Sequence, residues 1–414
     1  MIPQDVFVRA GREDMNAVAL HATVLMLMSA SMMAAQTNPS PAVGEERLFV
    51  GPVAFSPAIV LRDIGVDSNI LDEADHPKQD FTFTLQPRLR AAVPFGPTRL
   101  TGSVTVGLVY YATYKNEQSI NRLYEARFEG TTRRLRPFLA AALNHSRERT
   151  GYEIDARVLH QDTNISGGAE LQLTGVTSLV GSYRRATQKY GNDQEFLGIA
   201  LASQLDHATD AASGGARWAI TPLTTLSVDV ERQRDRFDSS PLRDADSVRV
   251  MPAVQFAPDA VIMGRIAVGF RDFNPRDPHV PAFRGLAGAV NVAGTFLGAT
   301  HVSVEATRDV MYSFDPATPY FLVDSGHVMV SQPIGGPLDV VGLTGLDRLR
   351  YYVVEGLPFA GRIDRTRMVG GGVGLRVSPS LRLTFIYDFT ERSSELYGRT
   401  YDRRRVIGSV TYQL

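Results

Sequence analysis

The stretch Arg405-Val406-Ile407-Gly408-Ser409-Val410-Thr411-Tyr412-Gln413-Leu414 closes the chain and decides how the rest is read. Written as a strand, it points Val406, Gly408, Val410, Tyr412 and Leu414 one way. Arg405, Ser409, Thr411 and Gln413 point the other way, with Ile407 the exception. A strand apolar on one face and polar on the other suits a wall between hydrocarbon and water. An edge strand of a soluble sandwich reads the same over ten residues, so the preceding chain has to separate the two.

It does so by repetition. Phe81, Phe83, Leu85, Leu89 and Val93 alternate with Thr82, Thr84, Gln86, Arg88 and Arg90. Leu226, Val228 and Val230 alternate with Thr225, Ser227, Asp229 and Glu231, and Leu381, Leu383, Phe385, Tyr387 and Phe389 with Arg382, Thr384, Asp388 and Thr390. A period of two sustained this often is the β signature and contradicts a helical period. Short turns such as Phe95-Gly96, Thr221-Pro222, Ala257-Pro258 and Ser378-Pro379 alternate with longer polar loops near 146–162, 190–206, 238–246, 272–282, 315–319 and 391–402. A membrane barrel has that asymmetry, with tight turns at one rim and longer loops at the other; a sandwich has no reason for it.

The expectation is an all-β fold, a transmembrane antiparallel β-barrel of about 18 strands (roughly 16–20) over 56–414. Two stretches resist that count. Phe196-Leu197-Gly198-Ile199-Ala200-Leu201 reads as a strand or as a helix within a loop, and 320–353 alternates poorly. Tyr110, Tyr111, Tyr114, Tyr351 and Tyr352, at strand ends, are expected to form aromatic girdles at headgroup depth.

Ahead of the barrel, Ala17 to Ala35 is rich in Met, Leu and Ala and reads as the core of a cleaved signal peptide, residues 1–35, with Met1 or Met15 as its start. Residues 36–55, with Pro39 and Pro41, are expected to be a flexible periplasmic lead-in. No later apolar run approaches the length of a membrane helix. The chain has no cysteine, and its net charge of −1 gives no support for nucleic-acid binding. Outer-membrane lipid is the expected surrounding. The last strand resembles the terminal signal read by the barrel-insertion machinery, which usually ends Tyr-x-Phe; Val410, Tyr412 and Leu414 are the candidates here.

Catalytic chemistry finds little purchase. No nucleophile elbow, zinc-protease motif or phosphate loop occurs, and no catalytic, metal or cofactor site is assigned. The charged residues on the polar parity of their strands are the better candidates: Arg88, Arg90, Glu125, Arg127, Glu129, Asp229, Glu231, Arg249, Arg265, Arg271, Glu305, Arg382 and Asp388. An arginine at the lipid midplane costs roughly 2–4 kcal/mol, so parity sends them to the lumen. There they serve as ion pairs that hold the barrel's shape or as a lining that guides solute.

Pro57 to Leu61, then Gly65-Val66-Asp67-Ser68-Asn69-Ile70, then Phe81 to Pro87, resemble the opening of the Putative β-barrel porin-2 family. In that family an opening strand runs into an Asp-x-Asn element, and the second strand carries a proline. The resemblance implies an outer-membrane barrel associated with exopolysaccharide export, with polysaccharide and periplasmic export components as partners and with no catalytic residues. Asp67 and Asn69 would structure the first outer loop. Two alternatives stand beside that exit: a general diffusion porin, and a barrel serving as enzyme or adhesin. The modest outer loops favour a wide exit over a porin with an inward-folded constriction.

Overall fold

The computed structural model describes residues 48–358 and 361–413, so the signal-peptide reading, the rest of the lead-in and Leu414 lie outside the described residues. The strands are β1 (Leu48–Val50), β2 (Val53–Asp67), β3 (Asp80–Phe95), β4 (Thr98–Tyr111), β5 (Ser119–Gly130), β6 (Leu135–Glu148), β7 (Val158–Gln172) and β8 (Thr177–Tyr190). A small hairpin follows, β9 (Glu195–Phe196) and β10 (Ile199–Ala200), running into helix α1 (Leu201–Leu205). Then come β11 (His207–Thr221), β12 (Thr224–Phe237), β13 (Ala245–Phe256), β14 (Ile262–Pro275), β15 (Phe283–Phe296) and β16 (Thr300–Tyr312). The last are β17 (Tyr320–Gly335), β18 (Leu338–Tyr352), β19 (Ile363–Ser378), β20 (Leu381–Ser393) and β21 (Tyr401–Gln413).

Each long strand pairs antiparallel with its neighbours, and β21 closes on β2 through Ile59↔Tyr412 and Asp67↔Arg405. The result is a closed barrel of 18 strands, with the short β1 arm added along β2. That arm corrects the lead-in boundary, because residues 48–50 and 53–55 are hydrogen-bonded to each other. β21 ends opposite Ala58, which leaves the first residues of β2 with an open edge that β1 occupies. Where β2 passes β21 the register shifts between Leu61 and Ile64, and Asp63 takes a positive φ of 56°. Gly65 follows this bulge, and a Cβ there would stand 1.9 Å from the Val406 carbonyl oxygen.

Alternation sorts the two faces. The exposed large apolar side chains include Leu89, Val228, Val230, Val373, Phe385, Tyr387 and Tyr412, all on the parity expected to meet lipid. Trp218 and the stacked pair Phe83–Tyr110 (ring centroids 4.8 Å apart) lie on the same face, with Tyr110 next to the outer end of β4. The girdle reading fails for three other tyrosines. Tyr111 and Tyr351 point inward and are buried, and Tyr352 stacks on Tyr320 inside an apolar cluster. Val373→Arg, in the middle of the apolar band, is expected to cost about 2–4 kcal/mol and to lower refolding yield into lipid vesicles. Ala142→Arg, on the lumen parity beside Glu125 and Arg127, is expected to refold close to wild type by the same assay.

One seam interrupts the wall. The β15–β16 ladder stops at Gly288↔Arg308, so residues 283–287 of β15 pair with β14 but not with β16. Arg308 Nε caps part of that edge by donating to the Leu286 carbonyl (3.2 Å). Above this point β16 and β17 bend inward, and Tyr312 packs against His207, Phe237 and Phe273 on the inner wall. Tyr320, Phe321, Leu322 and Val323 are then all buried (1%, 2%, 0% and 0% exposed), because the bent tip meets protein on both faces. A sheet covered on both sides needs a continuous apolar run, which is why alternation fails there.

Candidate functional site: a latched constriction in the lumen

Two segments enter the barrel from its outer rim. The first is the β6–β7 loop, 149–157. Its Glu153 is buried, with Oε1 accepting from Ser313 Oγ (2.9 Å) and Arg362 Nη2 (3.0 Å), and Oε2 from the Phe314 amide (3.1 Å). Asp155 is gripped by Arg392 Nη1 (2.8 Å) and Arg399 Nη2 (2.9 Å). Arg392 also donates to the Tyr152 carbonyl (3.0 Å) and Arg399 to that of Glu153. Ile154 sits in an apolar cluster with Tyr190, Phe196, Leu201 and Phe314. The polar partners Ser313, Arg362, Arg392 and Arg399 come from the far side of the barrel, so the loop spans the lumen.

The second segment is the bent β16–β17 tip, which meets that loop at Ser313 and Phe314. Its inner-wall face packs Val310, Tyr320 and Leu322 on Ala245, Phe273 and Phe283. Its other face packs Phe321 and Val323, with Leu349 and Tyr351, near Tyr152. Arg243 reaches in from the β12–β13 loop and donates Nε to the Ser313 carbonyl (2.8 Å) and Nη1 to Gln204 Oε1 (2.7 Å). With no carboxylate in ion-pair contact among the described residues, burial pushes the Arg243 guanidinium down to about 10.

The first outer loop braces this assembly. Asn69 donates Nδ2 to the Glu73 carbonyl (2.8 Å) and accepts from the Glu73 amide (3.0 Å), while Asp67 accepts from the Asn69 amide (3.0 Å) and pairs with Arg403. Asp72 lies 2.7 Å from Arg149 Nε, and Arg149 Nη2 donates to the Ile70 carbonyl (2.6 Å), tying that loop to the start of the constriction loop. Asp67 and Asn69 therefore occupy a structured turn.

Below the constriction lies a cavity of about 380 Å3. One wall carries amides, among them Gln86, Asn121, Asn144 and Gln188; the other carries a mixed-sign ladder from β8 to β16. Arg184 lies 3.8 Å from Glu231, and Asp309 takes both Arg249 Nη2 (3.0 Å) and Arg271 Nη1 (2.6 Å). Asp235 has no cation in ion-pair contact among the described residues; its carboxylate accepts from Thr209 Oγ1 (2.6 Å), Gln233 Nε2 (2.9 Å) and Tyr312 Oη (2.7 Å).

The thirteen charges chosen by parity stand on the face opposite the exposed apolar side chains, but they form several groups. Glu231, Arg249 and Arg271 line the cavity. Arg265 pairs with Asp229 (2.7 Å), Arg382 with Asp339 (2.8 Å) and Arg405 with Asp388 (2.9 Å). Gly374 makes room for the Asp339–Arg382 pair, since a Cβ would come 2.4 Å from Asp339 Oδ1. Arg127 pairs with Glu129, Ser103 donates to Glu125 (2.6 Å), and Arg88 and Arg90 are exposed on the inner face of β3. Glu305 stands across the β16–β17 ladder from His327. The parity choice omitted Arg184, Asp235, Asp309 and Arg392, which share the polar parity of their strands, and the latch residues Glu153, Asp155, Arg362 and Arg399 stand outside the strands, where parity does not apply.

One cluster has the order of a hydrolytic triad. Ser146 Oγ is 3.0 Å from His160 Nε2, and His160 Nδ1 is 2.9 Å from Asp162 Oδ2. Asp162 is out of line for a hydrogen bond to Nδ1, and Ser146 is 1% exposed, so no acyl carbon can reach its oxygen. The cluster, with Asn144 Nδ2 donating to Ser146 Oγ (3.2 Å), clips β6 to β7.

Burial holds the Glu153 carboxyl above its ordinary range, against the pull of Arg362 and Arg399, because Arg362 is shared with Asp315 and Asp364. Asp72 is raised by burial too, against Arg149 and Arg403. A carboxyl whose pKa is higher in the seated loop than in a released one binds its proton more tightly when seated. Its contribution to seating is therefore complete below the ordinary carboxylate range and is lost as pH rises through the raised value. Brief loop-opening events in single-channel records are expected to be rarest below the ordinary carboxylate range and to become more frequent as pH rises above it, and Glu153→Gln is expected to flatten that dependence.

Among solved structures, the fold is similar to Pseudomonas aeruginosa OpdK (TM-score 0.47, 10% identity, covering 87% of this chain and 99% of that one). It is similar also to Pseudomonas aeruginosa OpdO (0.47, 12%, 87% and 97%) and to a BenF-like porin from Pseudomonas fluorescens Pf-5 (0.47, 10%, 87% and 99%). No curated protein matches the chain. Residues 42–414 match the family described as Putative beta-barrel porin 2, and the chain belongs to that family of outer-membrane β-barrel porins.

Proposed function

We propose that this porin passes small polar solutes, up to about the size of a disaccharide, through a lumen narrowed by loop 149–157. The observation that carries this is the loop itself, pinned across the barrel at Glu153 and Asp155 by Arg362, Arg392 and Arg399. It supports a constricted lumen over the wide exit expected from modest outer loops, because nine residues suffice when their polar partners lie on the opposite wall. The cavity beneath has the volume of a small-ligand site. Its amide wall offers donors and acceptors to hydroxyls, and its ladder offers both signs of charge. Val410 and Tyr412, on the outward face of β21, would serve as the described part of the insertion signal.

Exopolysaccharide export is the second reading, carried only by what the resemblance to the family implies. A polymer would need loop 149–157 to leave the lumen, with periplasmic export components supplying the drive. Liposome swelling with sugars of increasing size separates the two. Small-solute passage predicts a cut-off near a disaccharide in the wild type and a higher one when residues 150–156 are replaced by a short glycine-serine link. Equal permeability to long oligosaccharides in both proteins would overturn it.

A further inference from the structure

Outward-facing arginines are costly in lipid, and four of them gather on one patch of this barrel. Arg348 and Arg350 on β18, and Arg365 and Arg367 on β19, share the parity of the exposed apolar residues Leu346 (51% exposed) and Val369 (57% exposed). The register sets Arg348 directly across from Arg365, and Arg367 across from Leu346. The patch therefore begins where the apolar band ends, at the rim that carries the long loops. There an arginine costs little to place and can extend to the headgroups.

Like charges directly opposite on neighbouring strands repel. None of these four arginines has a carboxylate in ion-pair contact among the described residues, unlike Arg308, which is paired with Asp324. Arg348 Nε is in addition a buried donor without a hydrogen-bond partner. Asp324 lies across the ladder from Arg348 and Glu391 across from Arg367, so the five arginines, Arg308 included, face two carboxylates. The patch is incomplete without an anion.

We propose that this face binds a phosphorylated lipid of the outer leaflet, with its phosphates between Arg348, Arg365 and Arg367 and its acyl chains along Leu346 and Val369. Planar guanidinium groups suit phosphate oxygens, which accept paired N–H donors. The apolar residues immediately below supply a surface for the chains, so a lipid satisfies both halves of the patch and free phosphate only one.

The test uses the full-length barrel in detergent, with bis-phosphorylated lipid A as the probe and native mass spectrometry as the readout. Dephosphorylated lipid A and inorganic phosphate form the other arms. Wild type is expected to hold lipid A, and the set Arg348→Gln, Arg365→Gln and Arg367→Gln to weaken it about a hundredfold. The control set Arg232→Gln, Arg234→Gln and Arg276→Gln, of which Arg234 and Arg276 stand beside Asp246, is expected to leave it unchanged. Heat-modifiable migration in detergent gels checks that each variant is a closed barrel. Equal binding by wild type and the patch variant, equal loss in both sets, equal binding of dephosphorylated lipid A, or displacement of the lipid by millimolar inorganic phosphate would each overturn the proposal.

Discussion

Replacing Arg392 and Arg399 together with alanine is expected to raise the unitary conductance severalfold and to bring long open-state fluctuations into single-channel records. Both side chains are buried, and between them they hold Asp155, the carbonyls of Tyr152 and Glu153, and Asp364. Removing one partner of a buried pair costs about 3–5 kcal/mol, because the remaining charge is left without compensation. Asp155 escapes that penalty only by moving to water, and the route to water carries loop 149–157 out of the lumen. The barrel survives, since its wall is held by backbone ladders that neither arginine joins through its side chain. Unchanged conductance in a correctly folded variant would mean that the loop is held by its apolar contacts at Ile154 instead.

Leu322→Asp is expected to have the largest structural effect of any single change. Leu322 is fully enclosed by Ala245, Phe273, Phe283, Val310 and Tyr320, where an unpaired carboxylate costs several kcal/mol. Above Arg308 the tip has no ladder partner on its β15 side, so β16 there is held by β17 and by this cluster. Amide hydrogen exchange should therefore become fast at 309–312 and 320–323 while 301–306 stay protected by β15. Protection unchanged at the tip would show that the bend does not depend on this cluster.

The outline of the barrel was legible because each of its causes is local. Alternation marks a strand within its own residues, and turn chemistry at Thr221-Pro222 or Ser378-Pro379 marks its end, so most boundaries fall within a few residues of those expected. The run Phe196 to Leu201, ambiguous in sequence, contains a strand pair and the start of a short helix, stabilised by packing under the inward loop. Parity placed Arg249, Arg271 and Glu231 without knowledge of their partners.

The constriction was not legible, for the converse reason. Tyr152-Glu153-Ile154-Asp155 has the composition of a solvated loop, and the residues that hold it by hydrogen bonds are 160 to 246 positions away. No spacing rule links Glu153 to Arg362, or Asp155 to Arg392. The one signal that was present was misread: Tyr320-Phe321-Leu322-Val323 breaks alternation because both faces of that segment meet protein. Girdle tyrosines failed similarly, since a tyrosine at a strand end reads the same whether its ring lies on the outward face, as that of Tyr110 does, or against an arginine inside, as that of Tyr351 does with Arg362 at 3.7 Å.

The absence of cysteine in the native sequence makes one measurement cleaner than any other. Single cysteines are placed at Glu231 and Arg249, which line the cavity and are partly exposed, and at Val250, the outward neighbour of Arg249, and a charged thiol reagent is added during planar-bilayer recording. Solute movement through a lumen closed by 18 strands predicts a stepwise loss of current at Glu231→Cys and Arg249→Cys and none at Val250→Cys. Block at Val250→Cys with none at the two lumenal positions would contradict it.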